Sequence, residues 1–310
     1  MVWFFIVAGL MLLTLGAEML ISGASRLARR LGLSELLIGL TLVGFGTSSP
    51  ELVASVNAAL AGSPGLAIGN VVGSNIANIL LILGLSALIA PIAVGARGFR
   101  RDALTLAAAT LLIIGISMVS EFDRYIGAGL LIALTAYLGW TYFSEQKLEQ
   151  ATTEAVAVKQ GSVVIEIALA GIGLAFLALG AKLLVSGSIG VAVAFGVSET
   201  LIGLTIVALG TSAPELVTSV MASIRGKSDL ALGNIIGSNI FNLLGILGVT
   251  ALVQPLSTPD AIIQFDNWVM FAATAALILF GITKNKIERW EGGVLTMSYV
   301  AYITYLVMNA

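Results

Sequence analysis

Twelve residues, GFGTSSPELVAS from Gly44 to Ser55, constrain this chain more than any others, because they occur twice. Residues 208 to 219 read ALGTSAPELVTS, and adding 164 to any residue number from about Gly16 to Pro91 lands on its counterpart without a gap. A second motif keeps the offset: GNVVGSNIAN, Gly69 to Asn78, returns as GNIIGSNIFN, Gly233 to Asn242. Each copy sets a carboxylate, Glu51 or Glu215, beside hydroxyls and a proline in an otherwise apolar segment.

Composition decides what is duplicated. With 58% hydrophobic and 10% charged residues, a 310-residue chain cannot clothe a soluble domain in charge. We expect an all-α polytopic membrane protein. Spans of roughly 20 apolar residues fall at about 3–21, 34–61, 66–91, 103–120, 123–143, 162–186, 198–225, 229–254, 265–283 and 288–308. The start, MVWFFIVAGL, lacks a basic n-region and a small-residue cleavage site, so it reads as the first span. The second and third spans of each half are interrupted by Gly, Pro and polar residues, the pattern of discontinuous helices around a binding site. The expected organisation is a five-helix repeat over 1–143, a polar linker over 144–161 and a second repeat over 162–310. No cysteine or histidine is present, which excludes disulfides, thiol and imidazole catalysis, and Cys or His metal sites.

An odd number of spans per half forces the second repeat into the membrane upside down. Positive charge agrees. With the N-terminus outside, thirteen of the fifteen basic residues fall in inner loops: Arg26, Arg29, Arg30, Arg97, Arg100, Arg101, Lys147, Lys159, Arg225, Lys227, Lys284, Lys286 and Arg289. Only Arg124 and Lys182 stand apart. Both termini are expected outside a cell (plasma or inner) membrane. Glu18 and Lys182, aligned copies of opposite charge, then lie toward opposite membrane faces and are not expected to meet.

Pro50 lacks an N–H and crowds the carbonyl of Gly46, so the second span opens there and frees carbonyls around Gly44 to Thr47. Beside them sit Thr47, Ser48 and Glu51; the other copy brings Thr211, Ser212 and Glu215. Carboxylates, hydroxyls and carbonyls form a hard, all-oxygen ligand set suited to calcium or sodium and unsuited to zinc or copper. An ionisable side chain at the bilayer centre costs at least about 2.5 kcal/mol and marks function by default. In the third span Asn70, Ser74 and Asn78 share one helical face, as do Asn234, Ser238 and Asn242. Ser74, Asn78, Ser238 and Asn242 are expected nearest the ion, and Asn75 and Asn239 to satisfy the broken backbone of the neighbouring helix. Pro kinks and Ser, Thr or Asn acting only as interhelical glue are the plain alternative.

At these residues the sequence resembles the calcium/cation antiporter superfamily, specifically prokaryotic sodium/calcium exchangers. The likeness covers nearly the whole chain and rests on GTS-x-PE and GN-x-x-GSN, each present twice. It implies ten helices in two inverted-topology five-helix repeats with discontinuous core helices. The second, third, seventh and eighth helices would form the ion core, and the first and sixth a mobile gating pair. It also implies calcium on Glu51 and Glu215 with carbonyls near Thr47 and Thr211, and sodium sites using Ser48, Ser74, Ser212, Ser238 and the same glutamates, joined by the carbonyls of Gly44 and Ala208. Some archaeal members carry an aspartate at the position of Asn242.

The function implied is sodium-for-calcium exchange by alternating access, in a monomer whose partners are the two ions and the lipid bilayer, with no nucleic acid. Bound Ca2+ and Na+ would be cargo, with no cofactor and no enzymatic step. The rivals are a calcium/proton antiporter of the same superfamily, a passive cation channel, and an intramembrane hydrolase using Ser48.

Overall fold

The computed structural model describes residues 2–150, 162–195 and 208–309. Its helices are α1 (Val2–Leu31), α2 (Glu35–Thr47), α3 (Ser49–Leu60), α4 (Pro64–Ile89), α5 (Ala96–Val119), α6 (Arg124–Gln150), α7 (Val163–Ala194), α8 (Ala208–Thr211), α9 (Ala213–Ile224), α10 (Ser228–Val253), α11 (Ile262–Thr283) and α12 (Arg289–Asn309). Among the described residues seven of these are long and apolar enough to cross a membrane, and eight if α2 and α3 are one bent span. Helix α9 is apolar but short, and α12 carries Tyr299, Tyr302, Tyr305 and Thr304, which lower its hydropathy. The chain is therefore a multi-pass, almost wholly helical membrane protein.

Several expectations shift. Helix α1 continues past 21 to Leu31, where Ala, Leu and Arg are good helix formers, and α7 past 186 to Ala194, where Gly187 and Gly190 are held against Ile6 and Val2 of α1 and packing overrides propensity. Helix α6 runs through Gln150, so the first part of the expected linker is helical; residues 151–161 of the linker and 198–207 of the seventh span lie outside the described residues. The molecule is also not purely helical. Strands β1 (Ile92–Ala93) and β2 (Lys286–Ile287) pair antiparallel, and Phe122 bridges Leu256. Extended residues between helices have orphan N–H and C=O groups, and pairing satisfies them.

The most enclosed helices are α4 and α10, with 72% and 83% of their apolar windows buried, so the core is built around them. Helices α1 and α7 lie outside this core and pack on each other along their length. Gly9, Gly16 and Gly23 on α1 face Gly180, Gly173 and Ala170 on α7, so the two helices run antiparallel. A Cβ on Gly16 would stand 2.7 Å from the Gly173 carbonyl oxygen, so the seam needs glycine for backbone to meet backbone. At one end of the seam Arg30 Nε lies 3.0 Å from Glu166 Oε2, tying the last turn of α1 to the first turn of α7.

Candidate ion site

The second span breaks where its proline places the break. Helices α2 and α3 meet at Ser48 with a 44° bend, and Pro50 occupies the first turn of α3, where its missing N–H costs nothing. Ser48 (φ −82°, ψ 6°) has left the helical region, and so has its copy Ser212 (φ −88°, ψ 8°) ahead of Pro214. A serine between two helices normally caps the second with its own oxygen. Neither does so here. Ser48 Oγ donates instead to Glu215 Oε1 at 2.8 Å, and Ser212 Oγ to Glu51 Oε1 at 3.1 Å. Each copy thus holds the other's carboxylate.

Both glutamates are 1% exposed, and each has one oxygen, Oε2, with no hydrogen-bond partner. Asn78 Oδ1 and both side-chain polar atoms of Asn242 are likewise buried and without partners. Buried polar atoms are nearly always satisfied, and the oxygens among these, on both glutamates and both asparagines, are acceptors of the kind a hard cation takes up. The two asparagines stand at wide, π-type turns, Asn78–Leu83 in α4 and Phe241–Ile246 in α10, which rotate the helix face and are frequent at functional sites. Among the described residues no cluster of three acids occurs, so the site holds two carboxylates.

The other expected residues are placed as follows. Thr47 is buried, and its Oγ1 reaches Val43 O at 3.0 Å and Asn234 Oδ1 at 3.1 Å. Ser238 is buried and donates to the Gly44 carbonyl at 3.1 Å. That carbonyl also accepts from Ser48 N at 3.2 Å, so it is not the freed oxygen expected from the proline argument; the hydroxyl of a neighbouring helix has filled it. Ser74 is buried at 6% exposed, and Thr211 is half-buried. Ala208 opens α8, the short helix before Ser212.

The role expected of Asn75 and Asn239, satisfying the backbone of a neighbouring helix, falls to Asn70 and Asn234. Asn75 and Asn239 bond to carbonyls of their own helix, Val71 O at 2.7 Å and Ile235 O at 2.9 Å, because both point along the helix instead of across it. Asn70 and Asn234 brace the glutamate helices. Asn70 Nδ2 donates to Glu51 O at 3.1 Å and Ser55 Oγ at 2.9 Å; Asn234 Nδ2 donates to Glu215 O at 3.4 Å and Ser219 Oγ at 2.8 Å. Sequence reasoning missed Ser55 and Ser219, although both lie four residues after a glutamate and keep the 164 offset. Glu18, not expected to meet Lys182, pairs with Arg225, and Lys182 is exposed.

A cavity of about 590 Å³ opens beside the break, lined by Thr47, Pro50, Val53 and Pro214 with Leu174 and Leu177 of α7. It approaches the glutamates from the side of the glycine-seamed pair, and neither glutamate lines it. Arranged this way, two buried acids among hydroxyls and amide oxygens form an all-oxygen donor set that can bind a hard cation.

The family model of the sodium/calcium exchanger protein matches this chain over residues 1–143 and again over 165–308. CaxA of Alkalimonas amylolytica, named as an antiporter, is 39% identical over 99% of this chain and 98% of its own. The sodium/calcium exchanger MaX1 of Methanosarcina acetivorans is 35% identical over 96% of both. A solved structure of the sodium-calcium exchanger NCX_Mj, soaked with Na+ and Sr2+, superposes with a TM-score of 0.86 at 34% identity over 98% of this chain and 97% of that one. Matched in both halves and over nearly its full length, the chain belongs to the sodium/calcium exchanger family of membrane antiporters.

Proposed function

We propose that this chain exchanges sodium for calcium by alternating exposure of one site built from Glu51 and Glu215. The observation that carries the reading is the reciprocal pair of serine–glutamate bonds, which leaves one buried oxygen of each carboxylate without a partner. Calcium takes those carboxylates with carbonyls near Thr47 and Thr211. Sodium uses the carboxylates with Ser48, Ser212, Ser74 and Ser238, and Asn78, Asn242 and the carbonyls of Gly44 and Ala208 complete the oxygen cage. Gly44 must first release Ser238, which makes occupancy there a competition between a hydroxyl and an ion.

Because both ions need the same charges, occupancy by one opposes the other, and exchange becomes obligatory. Ten spans in two inverted repeats, 1–143 and 162–310 about a cytoplasmic linker, give the two-sided access this requires. The antiparallel run of α1 against its copy α7 supports that inversion, and basic residues crowding one end of α1 support termini outside a cell membrane. The protein acts as a monomer in the lipid bilayer, with no cofactor.

The test is calcium uptake into sodium-loaded proteoliposomes diluted into potassium buffer, beside vesicles carrying a proton gradient alone. Uptake that requires internal sodium and is lost in Glu51→Gln supports the reading. Uptake driven only by the proton gradient moves the chain to calcium/proton antiport.

A further inference from the structure

A second polar cleft, of about 290 Å³, lies away from the glutamates at the C-terminal end of α1. Its walls are Ser25, Arg26 and Arg29 of α1 and Arg225 and Lys227 of the turn between α9 and α10. Arg225 is held by Glu18, and Lys227 Nζ by Glu35 Oε1 at 2.6 Å. Those two carboxylates neutralise half of the charge and fix two of the cations in place. Arg26 and Arg29 are exposed and form no ion pair among the described residues.

Ser25 is the independent sign of a ligand. Helical hydroxyls in this protein mostly bond back to the carbonyl four residues earlier, as Thr14, Thr41, Ser49 and Ser223 do. Ser25 does not. It is 3% exposed, its Oγ has no partner, and it lines the cleft. An unsatisfied buried hydroxyl beside two free guanidinium forks is the donor set for a tetrahedral oxyanion, which accepts from a hydroxyl and bidentately from arginine. The C-terminal dipole of α1 disfavours an anion, so these side chains must supply the binding.

We infer that this cleft binds a phosphate group, carried by an anionic phospholipid headgroup or free in solution. It opens where an apolar helix ends in arginines, the level at which headgroups meet a membrane protein. An occupant touches α1, which packs on α7, and also the loop leaving the helix that bears Glu215. It therefore ties the outer helix pair to the ion-site helices.

The experiment uses the full chain in nanodiscs of phosphatidylcholine with a minority of phosphatidylglycerol, released for native mass spectrometry. Wild type is expected to retain one phosphatidylglycerol, and Arg26→Gln/Arg29→Gln to lose retention by about tenfold or more. Ser25→Ala, which keeps both charges, falls between them, and Arg100→Gln/Lys284→Gln behaves as wild type. A parallel arm adds inorganic phosphate to nanodiscs of phosphatidylcholine alone. A phosphate adduct there that the double variant loses, with no preference for phosphatidylglycerol, assigns the site to free phosphate. Equal retention by wild type, the double variant and Ser25→Ala in both arms overturns the site, and sodium-driven calcium uptake is read separately so that the two proposals fail independently.

Discussion

Ser48 Oγ donates to Glu215 Oε1 at 2.8 Å across 167 residues of sequence, and the aligned pair, Ser212 and Glu51, repeats the bond in reverse at 3.1 Å. Neither half can hold its own carboxylate in place without the other. A hydrogen bond to a charged acceptor contributes about 1.5–3 kcal/mol. Ser48→Ala should therefore weaken half-maximal calcium uptake roughly ten- to hundredfold. Losing the bond should also lower thermal stability, and less so in a Glu215→Gln background, which a double-mutant cycle on unfolding checks.

The two bracing asparagines are not equivalent. Asn234 is fully buried and its Oδ1 also receives Thr47 Oγ1, whereas Asn70 is only part-buried. Asn234→Ala strands more polar atoms than Asn70→Ala. It should lower calcium affinity the more, by a further factor of about three to ten. Calcium binding by titration calorimetry on both variants ranks them.

Much of this was legible in the sequence because duplication turns motif residues into pairs. The break just ahead of Pro50 follows from that proline, and the burial of Glu51 and Glu215 from the cost of charge in a membrane. What was not legible depends on which helix lies next to which. The bonding of Asn75 and Asn239 to their own helices, the capture of the Gly44 carbonyl by Ser238, and the Glu18–Arg225 pair are choices among several in-range partners, and only tertiary packing makes them. The paired strands near Ile92 and Ile287 escaped for the same reason, being two residues long and without strand periodicity.

The glycine seam sets the spacing of α1 and α7. A leucine at Gly16 must push backbone that now lies 2.7 Å from its first carbon. Overpacking of this kind costs about 1–3 kcal/mol. Gly16→Leu should lower the melting temperature in detergent and slow exchange at least severalfold, while calcium still binds, because no ion ligand is touched. Loss of binding equal to loss of exchange would contradict a positioning role for the pair.

Arg30 and Glu166 close the end of that seam, with side-chain exposures of 23% and 8%. Removing the arginine leaves a nearly buried carboxylate without its counter-charge, a change that costs up to about 3 kcal/mol at this exposure. Arg30→Met alone should be less stable than Arg30→Met/Glu166→Leu, which removes both charges together. Thermal unfolding of the purified proteins gives the order.

The most direct measurement is equilibrium binding of radioactive calcium to the purified protein as sodium is raised at constant ionic strength. If Glu51 and Glu215 are the shared charges, bound calcium falls to background as sodium rises, and neither Glu51→Gln nor Glu215→Gln binds calcium at all. Calcium binding that ignores sodium, or that survives in both variants, would show that the two crosswise-held carboxylates are not where the ions compete.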